Sequence, residues 1–486
     1  MFIGELKVKN FKCFGNDCNP LNFNVPDSEN PGSGLNIFVG ENNTGKSTVF
    51  ESIDFLRDGT KKDISELKNK NSSKEDDLSV ELTFQGDINN IIEKFSQDNK
   101  KSVFEKHVYD SEGRKCLTLL RTSSDIKSIQ LWNNNIQKFE NESGIDAPLK
   151  RLFENNFIWA DTNPNNEAKF GSTTICGNLL SEIANTFTET EDYKKFSEQF
   201  HNTFNREDSE LRKKLSKIED RTEEIFREEF GDAKINFHFD EPKIDSFFKN
   251  VEVYIDDGIE TLMEEKGSGM QRGFALALLQ VYAEEIAKHP EDESISKPFF
   301  LFIDEPETCL HPRAQKKLFN AILEISKTKQ IFLATHSPYF LDGGSLMKNI
   351  GFFIFKRSDN KSNIEKINHD WGLFPWSPSW GEINYYAYNL PMVEFHDELY
   401  GHIQSKEEKF KEDEIEEYFL SKGLKKTKKW TREINGTPQT EKDVTLQTFI
   451  RNKIHHPENL TMQNANYTQD ELSKSIKEMI DILKIK

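Results

Sequence analysis

The sequence predicts an α/β fold: a parallel central sheet with added antiparallel strands, a helical insertion and a mostly helical carboxyl-terminal module. Three observations predict it. An apolar run (Leu35, Ile37, Phe38, Val39) leads into the loop Gly40-Glu-Asn42-Asn43-Thr-Gly45-Lys46-Ser47-Thr48, and an apolar-periodic helix follows (Val49, Phe50, Ile53, Leu56). A second apolar strand, Pro298-Phe-Phe-Leu-Phe-Ile, ends in the adjacent carboxylates Asp304 and Glu305. A strand apolar on both faces belongs inside a parallel sheet. Between the two, residues 180–232 carry apolar side chains near helical spacing.

The first segment is a complete phosphate-binding loop. Gly40 and Gly45 let the backbone curl so that several N–H groups point inward at phosphate oxygens. Lys46 supplies a compact positive charge to the β- and γ-phosphates, and the Ser47 hydroxyl is a Mg²⁺ ligand. The helix starting at Lys46 points its positive dipole end at the same anion. ATP and Mg²⁺ are therefore the expected ligands, with Asn42, Asn43 and Thr48 completing the loop.

The second segment supplies the chemistry. Its carboxyl end opens onto the crevice where α/β proteins bind nucleotides. Asp304 is placed to hold Mg²⁺, and Glu305 to act as general base or to orient water for attack on the γ-phosphorus.

Two further segments decide the kind of ATPase. Lys266-Gly267-Ser268-Gly269-Met270-Gln271-Arg272 puts a Gly-Ser-Gly turn at the mouth of an apolar helix, another helix start suited to an anion. Ile331-Phe-Leu-Ala-Thr-His336-Ser-Pro reads as a strand ending in a polar turn that carries a histidine. With these four motifs in order, the chain resembles the ABC-type ATPase superfamily in its SMC/RecF/OLD-like branch. Residues 3–14 look like the opening strand of those proteins, and Leu310-His311-Pro312 like their D-loop.

The resemblance covers residues 1–100 and 240–360. It implies that Ser268, Gly269 and Gln271 act in trans on a nucleotide held by a second head, and that His336 is the switch histidine sensing the γ-phosphate. It also implies a dimer or larger even assembly. The signature departs from the transporter pattern and suits the OLD-like branch. Gln85, after the strand 78–84, is the candidate for the glutamine loop and a further metal ligand. A hydrogen-bonded turn histidine and a plain helix cap remain the alternative readings of His336 and of Ser268–Gly269.

Composition agrees. The chain has 486 residues, a formal net charge of −19 and 30% charged residues. No apolar run of about 18 residues exists, so no membrane span is expected. No secretory signal is apparent at the start. Five scattered cysteines (Cys13, Cys18, Cys116, Cys176, Cys309) make no paired zinc pattern, so the chain reads as reduced and cytoplasmic. The acidic balance argues against a broad nucleic-acid surface.

The expected organisation is residues 1–100 as the amino-terminal lobe with the phosphate loop, and 101–235 as an insertion with a helical arm over 180–232. Residues 236–370 would form the carboxyl-terminal lobe and 371–486 a helical domain. The arm reads as a short hairpin, since no heptad repeat is sustained. Residues 235–239 and 251–255 read as strands. The aromatic stretch 371–388 is either a pinned irregular segment or a base-stacking platform. The basic run Lys422, Lys425, Lys426, Lys428, Lys429 and Arg432 is the candidate for an RNA or DNA contact, a solvated face being the alternative.

Late in the chain, Phe449-Ile-Arg451-Asn452-Lys-Ile-His455-His456-Pro457 resembles the Arg-x4-His motif of HEPN domains over about residues 390–486. That resemblance implies a ribonuclease site in which a histidine takes the 2′-OH proton and an arginine stabilises phosphorus-oxygen charge. His455 and His456 as helix-end caps are the alternative. The acidic pattern of the Toprim nuclease that follows OLD heads is not found in residues 340–486.

Such heads resemble the ATPase subunits of bacterial anti-phage systems such as Septu, PARIS and AbiL/RloA-type pairs. Three functions follow from the resemblances. The first is a nucleotide-gated sensor or scaffold controlling a separate effector nuclease. The second is a self-contained ribonuclease gated by ATP. The third is a RecF-like DNA-repair ATPase, for which the acidic balance leaves little surface.

Overall fold

The computed structural model describes residues 1–16, 19–73, 75–159, 190–229, 231, 234–240, 251–267, 270–271, 273–275, 277–278, 281, 298–308, 310–341, 348–358, 361–367 and 372–484. The chain packs as two compact units. One comprises residues 1–155, 292–307 and 322–486, the other residues 156–291 and 308–321.

In the first unit, the phosphate-loop strand Leu35–Gly40 is central. It pairs in parallel with the switch strand Gln330–Ala334 on one side and with Gly351–Ser358 on the other. The carboxylate strand Phe299–Asp304 pairs in parallel with the far side of the switch strand. The hairpin strand Lys361–Ile367 closes one edge in antiparallel register. The loop and switch strands are buried along their whole length, as their mainly apolar runs require, and their polar members Asn36 and Gln330 are hydrogen-bonded to Asn24 and Ile3. Aromatic rings fill the spaces between strands: Phe302 stacks on Phe332 at 4.8 Å, and Phe38 meets Phe353 edge-on at 5.4 Å.

A second, antiparallel sheet runs through strands 21–22, 2–9, 79–85, 114–122, 130–133 and 138–140. Arg114–Thr122 pairs along the whole of Ser79–Gln85. The expected boundary at residue 100 therefore falls inside one sheet, and the lobe continues to Asn155. One buried side chain ties the two sheets. Gln330 accepts from the Ile3 N–H at 2.8 Å, donates back to the Ile3 carbonyl at 2.8 Å, and also donates to the Asn24 carbonyl at 2.9 Å.

Residues 372–484 pack in the same unit, round a core that includes Phe395, Ile403, Phe419, Trp430, Phe449 and Met479. Its helices include Val393–Lys406 and Glu412–Ser421. Leu446–His455 and Gln469–Lys484 follow. The region is not purely helical. Lys426–Trp430 pairs antiparallel with Lys442–Thr445, and a two-residue hairpin sits between them. Trp430 is buried and Lys428, two positions before it on the same face, is half-buried, while Thr427 and Lys429 face outward.

In the second unit, Glu191–Phe204 and Glu210–Glu229 form the short helical hairpin that the broken heptad pattern predicts. Residues 235–239 are not a strand. Side chains take up their backbone groups: Glu223 accepts the Ile235 N–H, Glu219 that of Phe237, and Asn205 bonds both the N–H and the carbonyl of Phe239. Tyr254–Asp256 does pair, with Glu260–Leu262.

Candidate active site

The loop folds as its glycines allow. Gly40 sits at φ 151°, and a Cβ there would lie 2.2 Å from the Phe355 carbonyl oxygen, so no side chain fits. Gly45 at φ 108° is the left-handed residue that starts the helix Lys46–Asp58. Asn43 is also left-handed, at φ 62°. Asn42 and Asn43 are exposed at the rim. The buried Thr48 is 3.6 Å from Cys13 Sγ. Arg121 donates from Nε to the Leu56 carbonyl at 2.8 Å near the far end of this helix, where a cation is favoured.

Lys46 is buried, and its Nζ donates to the Gly40 and Glu41 carbonyls at 2.9 and 3.0 Å. Burial lowers its pKa to about 8, against the pull of Glu305, Asp304 and Glu307. Ser47 Oγ donates to Asp304 Oδ2 at 2.7 Å. The Asp304 carboxyl is pushed up to about 6, first by burial and then by Glu305, with the Ser47 bond and Lys46 opposing. A hydroxyl and a carboxylate at the mouth of a phosphate loop form an oxygen donor set that suits a hard divalent cation.

Glu305 is held at φ 48°, and its N–H donates to the Ala334 carbonyl at 2.8 Å. A non-glycine residue in this region is strained and persists only where its surroundings fix it. His336 stands in the turn after the switch strand, with Nε2 3.7 Å from Glu305 Oε1. Among the described residues, its buried Nε2 has no hydrogen-bond partner, a donor or acceptor left over in a polar cradle. Burial, and then the Lys46 charge, hold its pKa below the usual histidine value although Glu305 opposes them, so the ring is neutral at pH 7.

Sequence reasoning missed one residue here. Glu307 accepts the His336 N–H at 2.6 Å and the Thr335 hydroxyl at 2.8 Å. Thr335 in turn donates its N–H to the Phe38 carbonyl at 3.1 Å, joining the switch turn to the loop strand.

Other expected residues fall elsewhere. Gln85 is not brought to this site. It pairs with Phe2 beside Ile3, which is bonded to Gln330 at the amino end of the switch strand, whereas the loop and Asp304 lie at the carboxyl ends. Its Oε1 instead lies 3.4 Å from Arg114 Nη1. Ser268 and Gly269 lie outside the described residues. Gln271 is buried and donates to the Glu264 and Lys266 carbonyls at 3.0 and 2.8 Å, bracing the turn before its own helix.

At the carboxyl end, Arg451 Nη1 donates to Asn452 Oδ1 at 3.1 Å, and the buried Asn452 donates to Glu412 at 2.9 Å. His456 lies beyond the helix end and faces Glu458 at 3.2 Å. No hydrogen bond joins Arg451 to His456. The basic strand is matched by acids: Lys428 pairs with Glu471 at 2.5 Å, Lys429 with Glu441 at 2.6 Å and Lys426 with Glu416 at 3.9 Å. Trp376 stacks on Phe374 at 5.0 Å and donates to Glu398, which pins the aromatic stretch to its own module. Trp371 is outside the described residues. Among the described residues, no helix is long and apolar enough to cross a membrane.

A family model described as an AAA domain matches residues 5–229, and one described as an AAA ATPase domain matches residues 150–341. The Old nuclease of Escherichia phage P2 is 28% identical over 326 residues, covering 62% of this chain and 53% of that protein. The chain thus spans about half the length of that curated relative. Among solved structures, a Smc head bound to the C-winged helix domain of ScpA is 18% identical with a TM-score of 0.43, covering 76% of this chain and 98% of that one. A Smc head with an extended coiled coil, bound to the C-terminal domain of ScpA from Pyrococcus furiosus, is 16% identical with a TM-score of 0.41, covering 76% and 96%. Two stretches of the chain thus match models of AAA ATPase domains, and the chain is similar in sequence to the Old nuclease of that phage.

Proposed function

We propose that this chain binds and hydrolyses ATP between paired heads, and that its nucleotide state licenses a separate effector nuclease in anti-phage defence. One observation carries the catalytic part. Lys46, the Ser47–Asp304 pair, Glu305 and His336 converge at the carboxyl ends of three neighbouring parallel strands. That is where an α/β sheet binds nucleotides.

In this reading the loop N–H groups and Lys46 hold the phosphates. Ser47 and Asp304 would hold Mg²⁺, which when bound neutralises charge on the phosphate oxygens. Glu305 orients the attacking water and takes its proton. His336, neutral at pH 7, offers Nε2 to the γ-phosphate side. The signature residues Ser268, Gly269 and Gln271 would complete the site of a second head. The defence role rests on the resemblance to anti-phage ATPase subunits. The assignment of the effector to a partner rests on the same resemblance.

The test is ATP binding and turnover by the purified chain and two variants. Lys46→Ala should lose binding. Glu305→Gln should keep binding, lose at least about 100-fold in kcat, and accumulate as an ATP-dependent dimer in light scattering. Undiminished binding by Lys46→Ala would refute the site.

A further inference from the structure

Tyr388 ends the helix Trp380–Tyr388, where the carboxyl-terminal module meets the ATPase sheet. Its hydroxyl donates to the Thr335 carbonyl at 3.3 Å, and its ring centroid lies 5.7 Å from that of His336. Burial, with the Glu307 carboxylate nearby, holds the phenol protonated far above neutral pH, so it is a donor under all ordinary conditions. Thr335 and His336 are also the two residues gripped by Glu307. The switch turn is therefore held from two directions, by Glu307 within the head and by Tyr388 from the module.

The helix bearing Tyr388 has little freedom of its own. Ser379 and Glu382 cap its start reciprocally, and Ser379 Oγ donates to Glu398 of the next helix at 2.7 Å. Gly381 is in close contact with Phe395, where an added Cβ would come within 2.7 Å of that side chain. Tyr386 lies between Lys356 of a sheet strand and Lys484 of the last helix, 5.9 and 5.6 Å from its ring centre. The helix that ends in Tyr388 is thus fastened to the module core at its start and lies against two lysines near its end.

We propose that Tyr388 is a positioning residue for ATP hydrolysis, holding the Thr335–His336 turn so that turnover depends on how the carboxyl-terminal module sits. This rests on His336 acting in hydrolysis as proposed above. Tyr388 touches no reacting atom in this scheme. It acts on kcat through His336 and leaves the phosphate loop alone.

The experiment compares wild type, Tyr388→Phe, Tyr388→Ala, His336→Ala and the Tyr388→Ala/His336→Ala double variant, all as full chains. ATP turnover, affinity for a fluorescent ATP analogue and amide exchange are read on each. Tyr388→Ala should lower kcat by about 10-fold or more while KM and analogue affinity stay within about twofold. Tyr388→Phe, which keeps the ring beside His336 but loses the bond to the Thr335 carbonyl, should fall between wild type and Tyr388→Ala. In the His336→Ala background the Tyr388 change should add nothing, because the two act as one unit. Amide exchange over residues 334–340 should quicken in Tyr388→Ala, and that over 46–58 should not.

Unchanged kcat in His336→Ala would overturn the assignment of His336, and the inference with it. A normal kcat in Tyr388→Ala beside a crippled His336→Ala would overturn the inference alone. So would fully additive losses, or unchanged exchange over 334–340.

Discussion

The Glu307 carboxylate accepts the backbone N–H of His336 at 2.6 Å, and its second oxygen accepts the Thr335 hydroxyl at 2.8 Å. Burial raises the carboxyl's pKa, and these bonds oppose the rise by favouring the charged form. Glu307 thus fixes the turn that carries the histidine. Glu307→Ala should lower kcat about 10- to 100-fold, the scale expected for a misplaced catalytic group. ATP affinity should stay within about twofold. Glu307→Gln, which keeps a carbonyl acceptor for one donor, should fall between. Titration with a fluorescent nucleotide alongside steady-state turnover checks this, and a parallel loss of both would contradict it.

Gly40 allows a sharper test of the loop. Its φ of 151° and the 2.2 Å approach of a Cβ to the Phe355 carbonyl leave no room for a methyl group. Gly40→Ala must either push the strand Gly351–Ser358 away or unwind the loop. Strain of this kind costs about 1–3 kcal/mol. The expected outcome is a lower melting temperature together with at least tenfold weaker ATP binding. A variant that keeps both would show that the loop has another conformation open to it.

How legible the site is depends on the length of chain over which its chemistry is written. Lys46, Ser47, Asp304, Glu305 and His336 each stand within two residues of the end of a buried strand or glycine loop, so residue type and spacing together announce them. Glu307 and Tyr388 do not. Glu307 looks like one more acid in a surface turn, and its partner lies 29 residues on. Tyr388 is hidden in an aromatic run that reads equally well as packing. Gln85 misleads because a glutamine after a strand says nothing about which end of the neighbouring sheet it will reach. The basic run misleads for a similar reason. Glu416, Glu471 and Glu441, which face its lysines, are on other elements. The lobe boundary at residue 100 fails because antiparallel pairing of 114–122 with 79–85 spans two intervening helices.

Gln330 is the polar joint between the two sheets, and its loss should be felt across the head. The side chain is fully buried and takes up both backbone groups of Ile3. Gln330→Leu would leave that N–H and carbonyl unpaired in an apolar setting, at about 1–3 kcal/mol each. The expected result is destabilisation of roughly 3 kcal/mol in urea unfolding. Gln330→Glu should also fail, because a carboxylate can accept from Ile3 but cannot donate back. A loss below about 1 kcal/mol for the leucine variant would mean that the sheets hold together without this joint.

His396 gives the pH dependence its sign. Its side chain is fully buried, with Nε2 2.9 Å from Ser475 Oγ, and burial pushes its pKa down to about 3 from an ordinary 6.5. The folded chain therefore holds this ring neutral, while the unfolded chain takes up a proton below pH 6.5. Stability from this group is present above that value and is lost as the pH falls towards 3, at about 1.4 kcal/mol per pH unit. Other groups titrate over the same range, so the difference between wild type and a neutral replacement isolates the effect. Urea unfolding at several pH values between about 7 and 4 should show a shallower acid slope for His396→Gln, by about 1.4 kcal/mol per unit. At pH 7 the variant should be the less stable of the two, because glutamine packs less well against the Tyr400 ring that lies 6.5 Å away. The two curves should therefore converge on acidification. Parallel curves would mean that the histidine is protonated in the folded chain, and that its burial is offset by an acid yet to be placed.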